Sequence, residues 1–161
     1  MSPSPIPAGH EHLIPHLACD NCSAAIEFYK KAFGAEEVQR MPAPDGQRIM
    51  HAALKIGNSM VFLADDFPEH CGGVSRTPKA LKGTPITIHR YVENVDAAIE
   101  RAVTAGATVM MPATDMFWGD RYGMIVDPIG HQWSLATHVK DLTVDQMKTG
   151  MKEAFAQAAQ R

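Results

Sequence analysis

The chain has 161 residues, a net charge of −3 and a hydrophobic fraction of 45%, the composition of one ordinary globular domain. It has no run of about 18 apolar residues and no cluster of Lys and Arg, so we predict neither a membrane segment nor a nucleic-acid partner. Three cysteines, an odd number, follow an N-terminus without the features of a secretory signal, which predicts reduced thiols and a cytoplasmic location.

The first half of the chain is predicted to fold as βαβββ. Apolar residues recur at helical spacing up to Gly34, and Gly57 with Asn58 forms a hairpin turn. The predicted elements are a strand at 13–18, a helix at 23–33, and strands at 36–41, 48–56 and 59–64.

The second half repeats the first in one register. Placing His16 over His89 also places Asn21 over Asn94, and along the segment from His16 to Gly57, 11 of 42 aligned positions are identical. Unrelated segments would share about two or three. We therefore predict a duplicated half-domain. Its elements are a strand at 85–92, a helix at 95–105, and strands at 108–112, 121–126 and 132–137.

The domain organisation follows from this repeat. A single domain at 13–138 contains modules at 13–65 and 84–138, joined by a polar linker at 66–83. A flexible N-terminal arm at 1–12 precedes it. In the C-terminal segment at 139–161, a capping box of Thr143 and Gln146 and an apolar stripe predict a helix from 143 to 160. This helix packs either on its own domain or on a partner subunit.

Several segments resemble the vicinal oxygen chelate superfamily, which includes glyoxalase I, bleomycin-resistance proteins and extradiol dioxygenases. They are the helix end FYKKAFG at 28–34 and the hairpin DPIGHQW at 127–133. The chain is most similar to PhnB-type glyoxalase-like proteins, through FWGDRYG at 117–123 and ATH at 136–138. The resemblance implies an α+β fold of two tandem βαβββ modules, a curved incomplete eight-stranded barrel around a ligand cavity, and a homodimer.

Many members of the superfamily bind a divalent metal through the first and last strand of each module. The resemblance places these positions at Ile14 and Thr87 in the first strands and at Val61 and Ser134 in the last strands. Hydrocarbon and neutral hydroxyl groups are poor ligands for a divalent metal. We therefore expect no metal and no other cofactor at these positions.

The candidate ligand-binding residues begin with His16 and His89, which take matching positions in the two predicted first strands. Two such imidazoles can bind a displaced metal, donate hydrogen bonds to an anionic ligand, or act as acid and base near neutral pH. The other candidates are two arginines that the repeat aligns and three aromatic residues: Arg48, Arg121, Tyr91, Phe117 and Trp118. The arginines either hold an anionic ligand or pair with a loop acid such as Asp120 or Asp127.

Four other residues have predicted environments. Trp133 is expected in the core and His131 in a solvated turn. His138 and Asp65 follow the last strands of their modules, where separate surface positions are expected.

These observations predict a glyoxalase/bleomycin-resistance-like protein that binds a small molecule, with an anionic ligand as one option, in the barrel cavity. One alternative is a metal-dependent lyase, isomerase or dioxygenase that uses the displaced histidines. A second is a thiol redox protein that uses Cys19 and Cys22, which form a CxxC motif before the first helix. No catalytic residue is assigned.

Overall fold

The computed structural model describes residues 4–159 and confirms two βαβββ modules followed by a helix. Residues 1–3 of the predicted arm and residue 160 of the predicted last helix lie outside the described residues. The first module comprises β1 (His16–Cys19), α1 (Cys22–Phe33), β2 (Glu36–Pro42), β3 (Ile49–Ile56) and β4 (Ser59–Asp65). The linker, expected as a loop, contains a 3-10 turn (Pro68–His70) and α2 (Pro78–Leu81). The remaining elements are β5 (Thr87–Tyr91), α3 (Val95–Thr104), β6 (Thr108–Asp115), β7 (Asp120–Val126), β8 (Gln132–His138) and α4 (Val144–Ala158).

The eight strands form two four-stranded mixed sheets. The strand order is β1-β4-β3-β2 in the first sheet and β5-β8-β7-β6 in the second. In each sheet the first strand runs parallel to the last strand of its module, and the other pairs are antiparallel. The α+β fold class is therefore confirmed. No helix within residues 4–159 is long and apolar enough to cross a membrane.

The strongest part of the repeat marks the helix starts. The Asn21 side chain accepts a hydrogen bond from Ala24 N at 3.0 Å, and Asn94 accepts one from Ala97 N at the same distance. These bonds satisfy backbone donors that a helix N-terminus leaves free. The first helix ends at Gly34, whose φ of 65° suits glycine better than other residues. The asparagines that the repeat aligns are therefore matching helix caps.

An aromatic cluster joins the modules. Phe33 and Tyr29 of α1 lie 4.6 Å and 5.5 Å, between ring centroids, from Trp133 of β8. Trp133 is 2% exposed, which confirms its predicted place in the core. Because α1 belongs to the first module and β8 to the second, this cluster forms one hydrophobic core across both modules.

The buried Asp127 carboxylate completes this core. It accepts hydrogen bonds from the Tyr29 hydroxyl at 2.6 Å and from Trp133 Nε1 at 3.0 Å. Its other oxygen accepts from the backbone N–H groups of Ile129 and His131. Four donors thus converge on one carboxylate that is 3% exposed, which is how a buried charge becomes tolerable.

The register of the repeat does not extend through the hairpins. Placing His16 over His89 in the sequence puts Val61 over Ser134. In the structure His89 does pair with Ser134, but His16 pairs with Phe62. Ala53 of β3 and Met124 of β7, the partners of Phe62 and Ser134, lie 71 positions apart, whereas His16 and His89 lie 73 apart, so the second module has two residues fewer before its third strand. Its hairpin turn restores only one of them. The last-strand position beside His16 is therefore Phe62 and not Val61, which is 4% exposed.

The same shift corrects the alignment of the two arginines. Ala53 of β3 and Met124 of β7 take matching places beside the last strands, whereas the sequence repeat puts Ala53 over Val126. Arg48 precedes β3, whereas Arg121 lies inside β7, so the two are not structural equivalents.

His131 is a further correction. It is 8% exposed and not solvated, and its Nε2 lies 3.0 Å from the carbonyl oxygen of Ala18. The turn between β7 and β8 packs against β1, a contact between residues 113 positions apart in sequence. A contact between residues so far apart in the chain leaves no local pattern in the sequence.

Replacing Asp127 with Ala should lower the free energy of unfolding by about 3–4 kcal/mol, because two buried side-chain donors lose their acceptor. Tyr29→Phe removes one of those donors and should cost about 1.5–3 kcal/mol. Urea denaturation followed by tryptophan fluorescence measures both. A loss below about 1 kcal/mol for Asp127→Ala would contradict this role for the carboxylate.

Candidate functional site

A cavity of about 790 Å³ lies where the starts of β1 and β5 meet the linker. We call it the junction cavity. Its volume falls within the range of about 300–1,000 Å³ typical of small-molecule sites. Its wall is predominantly apolar, with side chains from Leu13, Ile14, Leu17, Phe67, Ile86 and Ile88.

His16 and Arg76 are two of the hydrogen-bond donors on this wall. Partial burial lowers the pKa of His16, and the nearby His51 lowers it further, so the imidazole is neutral at physiological pH. Arg76 lies on the linker and forms no ion pair within residues 4–159. Its guanidinium is therefore available to an anionic group of a ligand.

Two carboxylates also border the junction cavity. Both oxygens of Asp65 accept backbone N–H groups, from Cys22 at 2.7 Å and from Ile49 at 2.6 Å. Asp66 accepts the backbone N–H of Arg76 at 3.4 Å. Asp65 is 9% exposed, so its predicted surface position is wrong, and its carboxylate is satisfied by backbone donors at the starts of α1 and β3.

His89 lines a neighbouring cavity of about 470 Å³, which shares Leu13, Pro15 and Ile88 with the junction cavity and which we call the His89 cavity. His89 Nδ1 lies 2.8 Å from the Ser134 hydroxyl, and its ring is 4.8 Å from that of Tyr91, between centroids. Tyr91 lines the same cavity. The two histidines that the repeat aligns therefore lie in different cavities.

The residues at the metal positions of the superfamily do not suit a metal. Ile14 and Val61 carry no donor atom, and neither does Phe62, which takes the last-strand position in the first module. Thr87 and Ser134 offer only neutral hydroxyls. Within residues 4–159 no group of three or more His, Cys, Asp or Glu side chains is arranged to hold an ion.

The two candidate arginines are occupied by carboxylates. Arg48 contacts Asp45 and Glu69, each at 2.6 Å, and its guanidinium lies 4.2 Å from the centre of the Phe67 ring. Arg121 contacts Asp96 at 2.7 Å and Asp115 at 3.0 Å. Of the two roles left open by the sequence, these contacts match pairing with acids, although the acids are not Asp120 or Asp127.

The remaining aromatic candidates surround Asp120. One Asp120 oxygen accepts from the Tyr91 hydroxyl at 2.8 Å and from Trp118 Nε1 at 3.0 Å. The other lies 2.8 Å from His138 Nδ1, and His138 Nε2 lies 3.0 Å from Asp141. We call these five residues the Asp120 cluster. Phe117 instead packs under α4, beside Gly150.

Both nitrogens of His138 face carboxylate oxygens, which only accept hydrogen bonds, so the two contacts require a doubly protonated imidazolium. Asp141 and then Asp120 raise the pKa of His138 accordingly. Burial opposes ionisation of Asp120, but the bonds from His138, Tyr91 and Trp118 outweigh it and lower the pKa of the Asp120 carboxyl.

The thiols of the CxxC motif are inaccessible. Cys19 and Cys22 are both 0% exposed and are not joined by a disulfide. The neighbouring Cys22 thiol, together with burial, raises the pKa of Cys19 far above its ordinary range. A reactive cysteine needs the opposite conditions, an exposed thiol with a lowered pKa.

Sequence reasoning missed Arg76 because it lies in a linker without a repeat partner. The only available signal was a cation in a loop, which is the usual place for a solvated charge. Its position on a cavity wall depends on how the linker folds back over β1 and β5.

The chain is similar to proteins of one superfamily. Residues 10–135 match the Glyoxalase/Bleomycin resistance protein/Dioxygenase superfamily. The chain belongs to this superfamily. The Uncharacterized protein Mb0911c of Mycobacterium bovis is 50% identical over 139 residues, which cover 86% of this chain and 91% of the relative.

Solved structures of other proteins share the fold. The TioX structure from Micromonospora has a TM-score of 0.62 and 28% identity, and covers 80% of this chain and 99% of its own. The PhnB protein of Bacillus cereus has a TM-score of 0.60 and 16% identity, and covers 79% of this chain and 99% of its own. These likenesses support the predicted fold.

His138 should titrate above the ordinary histidine pKa of about 6.5 in an NMR titration, and Asp141→Asn should move its pKa downward. Because folding raises this pKa, the contacts stabilise the protein most at pH values below about 6.5 and lose their effect as pH rises through the folded-state pKa. A His138 pKa at or below about 6.5, unmoved by Asp141→Asn, would contradict the two contacts.

Proposed function

We propose that the protein binds a small, largely apolar molecule with an anionic group in the junction cavity. The observation that carries this proposal is the combination of an apolar wall with one cationic side chain, Arg76, that lacks an ion pair within residues 4–159. An apolar body would gain from burial, and an anionic end would gain a charge-assisted hydrogen bond.

Each part of the ligand has a matching part of the wall. Leu13, Ile14 and Ile86 offer an apolar surface for the body of the ligand. Arg76 offers up to five N–H donors in a fixed fork. The neutral imidazole of His16 adds one more donor, and because it is uncharged, no charge on His16 has to be desolvated when a ligand binds. Binding of this kind requires no metal.

The alternative functions have weaker support. A metal enzyme that uses displaced histidines needs His16 and His89 at one centre, but they line different cavities. A thiol redox protein needs accessible thiols, but Cys19 and Cys22 are buried. The cytoplasmic location remains a prediction.

Two fluorescent probes separate the contributions of shape and charge. 1-Anilinonaphthalene-8-sulfonate is an apolar aromatic anion, and N-phenyl-1-naphthylamine has the same ring system without the sulfonate. We expect both probes to bind. Arg76→Gln should weaken the affinity for the sulfonate probe about fivefold and leave the affinity for the neutral probe unchanged. The effect is small because Arg76 is solvent-exposed, which screens its attraction for the sulfonate to about 1 kcal/mol.

Matched variants act as controls in this titration. Asp66→Asn removes a carboxylate from the same wall and should strengthen binding of the sulfonate probe, whereas Lys82→Gln, outside the wall, should change neither affinity. Equal effects of Arg76→Gln on both probes would contradict the anionic part of the proposal. Unchanged binding of both probes after Ile86→Asp would contradict the site itself.

A further inference from the structure

Two arginines of the second module meet at the end of α1. Arg90 of β5 donates a hydrogen bond from Nη1 to the carbonyl oxygen of Phe33 at 3.2 Å, and Arg101 of α3 donates one from Nε to that of Ala32 at 2.9 Å. Neither arginine forms an ion pair within residues 4–159. We call Arg90 and Arg101 the arginine pair. It holds two positive charges that no carboxylate of the described residues neutralises.

The end of α1 accounts for only part of this charge. Each guanidinium carries five N–H groups and uses one of them on a helix carbonyl, so most of its donors are left for a ligand. A helix C-terminus carries roughly half a negative charge, against two full positive charges on the arginine pair. An excess of more than one positive charge therefore remains at this place.

The two guanidinium groups also repel each other. Partial burial lowers the pKa of Arg90, and the nearby charge of Arg101 lowers it further. Because arginine stays protonated at physiological pH, loss of a proton does not relieve this repulsion. A bound anion would relieve it.

Arg90 lies on the wall of the His89 cavity, and no Asp or Glu side chain of residues 4–159 lines that cavity. The turn between β3 and β4 reaches the same wall with Asn58 and Ser59, whose amide and hydroxyl groups can donate to an anion. A Cβ on Gly57 would lie 3.9 Å from Nη2 of Arg90, so the turn of the first module packs beside this guanidinium. Polar donors from both modules thus converge at one end of the cavity.

We propose that the His89 cavity binds a phosphate monoester, with the phosphate at Arg90 and the organic part along the apolar wall. Leu13, Met60 and Ile88 offer apolar surface for the organic part. The volume of about 470 Å³ lies within the range of about 300–1,000 Å³ typical of small-molecule sites. The site is additional to the one proposed in the junction cavity, which has Arg76 as its cation.

The charge of the arginine pair favours a phosphate over a carboxylate. A phosphate monoester carries about −1.5 to −2 charges at pH 7 and has three terminal oxygens that accept hydrogen bonds. One arginine fork is enough to saturate the two oxygens of a carboxylate, which carries a single charge. Arg90 from the cavity wall and Arg101 from the adjacent helix match the larger charge of a phosphate.

Isothermal titration calorimetry with phenyl phosphate tests this site, at about pH 8, where the phosphate is a dianion because its second pKa is about 6. All variants are compared in an Ile86→Asp background, because phenyl phosphate also belongs to the ligand class proposed for the junction cavity. Ile86 lines the junction cavity and not the His89 cavity. Its side chain is 68% exposed, so the substitution leaves the fold intact.

Asn58→Asp places a carboxylate on the cavity wall beside Arg90, in a turn where Asn and Asp are both favoured. It should weaken the binding of phenyl phosphate at least about tenfold, because the carboxylate pairs with Arg90 and repels the phosphate. Lys152→Gln makes a charge change of the same sign and size on α4 and should leave the affinity unchanged. Equal effects of the two substitutions, or no saturable binding before either is made, would overturn the proposal.

The arginine and the organic part of the ligand have their own tests. Arg90→Gln should weaken the binding at least about tenfold, and Arg90→Lys, which keeps the charge without the fork, should weaken it less. Urea denaturation of both variants checks that α1 remains folded without this cap. Inorganic phosphate should bind more weakly than phenyl phosphate, and equal affinities would overturn the assignment of a monoester.

The Ile86→Asp substitution also separates this inference from the proposed function. If wild-type protein binds phenyl phosphate and Ile86→Asp abolishes the binding, the phosphate lies in the junction cavity, which overturns this inference and leaves the proposed function standing. Binding that persists in Ile86→Asp and is lost with Asn58→Asp supports the site. The sulfonate probe, titrated into the same variants, then tests the junction cavity by itself.

Discussion

The Asp127 carboxylate is the interaction on which the arrangement of the modules depends. It lies in the turn between β7 and β8, yet it accepts the hydroxyl of Tyr29 from α1 of the other module. Because it also holds the backbone N–H of His131, whose ring contacts Ala18 in β1, the same turn is fixed to two elements of the first module. A buried charge with four donors has one favourable position, so it fixes the relative placement of the modules.

The junction cavity is a consequence of that placement. His131 and Gln132 form part of its wall, and the starts of β1 and β5 form another part. Two modules that met at another angle would bring different strand ends together. The site we propose is therefore a property of the module interface, and the linker contributes Arg76 to it only because the linker must cross the same interface.

The polar groups of the second module serve a different purpose. The Asp120 cluster ties the strand ends of β5, β7 and β8 to the segment before α4. The backbone of Lys140 approaches Gly119 so closely that a Cβ at position 119 would overlap the Lys140 carbonyl oxygen. The C-terminal extension is therefore built into the second module up to the first turns of α4 and projects beyond them.

The sequence predicted those features that depend on local patterns. Asn21 and Asn94 each cap the helix that follows them, because a short side-chain oxygen can accept a backbone N–H at a helix start. The alternation of residues along β8 places Trp133 on the buried face of its strand. The sequence did not predict the register of the two hairpins. Ile129 and Gly130 match Ile56 and Gly57 in identity, but they lie in a five-residue turn where the first module has two residues, so identity and structural equivalence diverge.

The site was predicted only in part. His16 lines the junction cavity, but the pairing of His16 with His89 required a common cavity that the strand starts do not form. Arg76 and His131 owe their roles to contacts between segments far apart in sequence, as in the bond from His131 to Ala18. Neither strand alternation nor helical periodicity contains information on such contacts.

A crystal structure of the protein grown with 1-anilinonaphthalene-8-sulfonate would show directly whether the junction cavity binds an apolar anion. We expect the ring system of the probe in the junction cavity, with the sulfonate about 2.7–3.2 Å from the Arg76 guanidinium. Electron density for the probe in the His89 cavity, with the junction cavity free of it, would contradict ligand binding in the junction cavity.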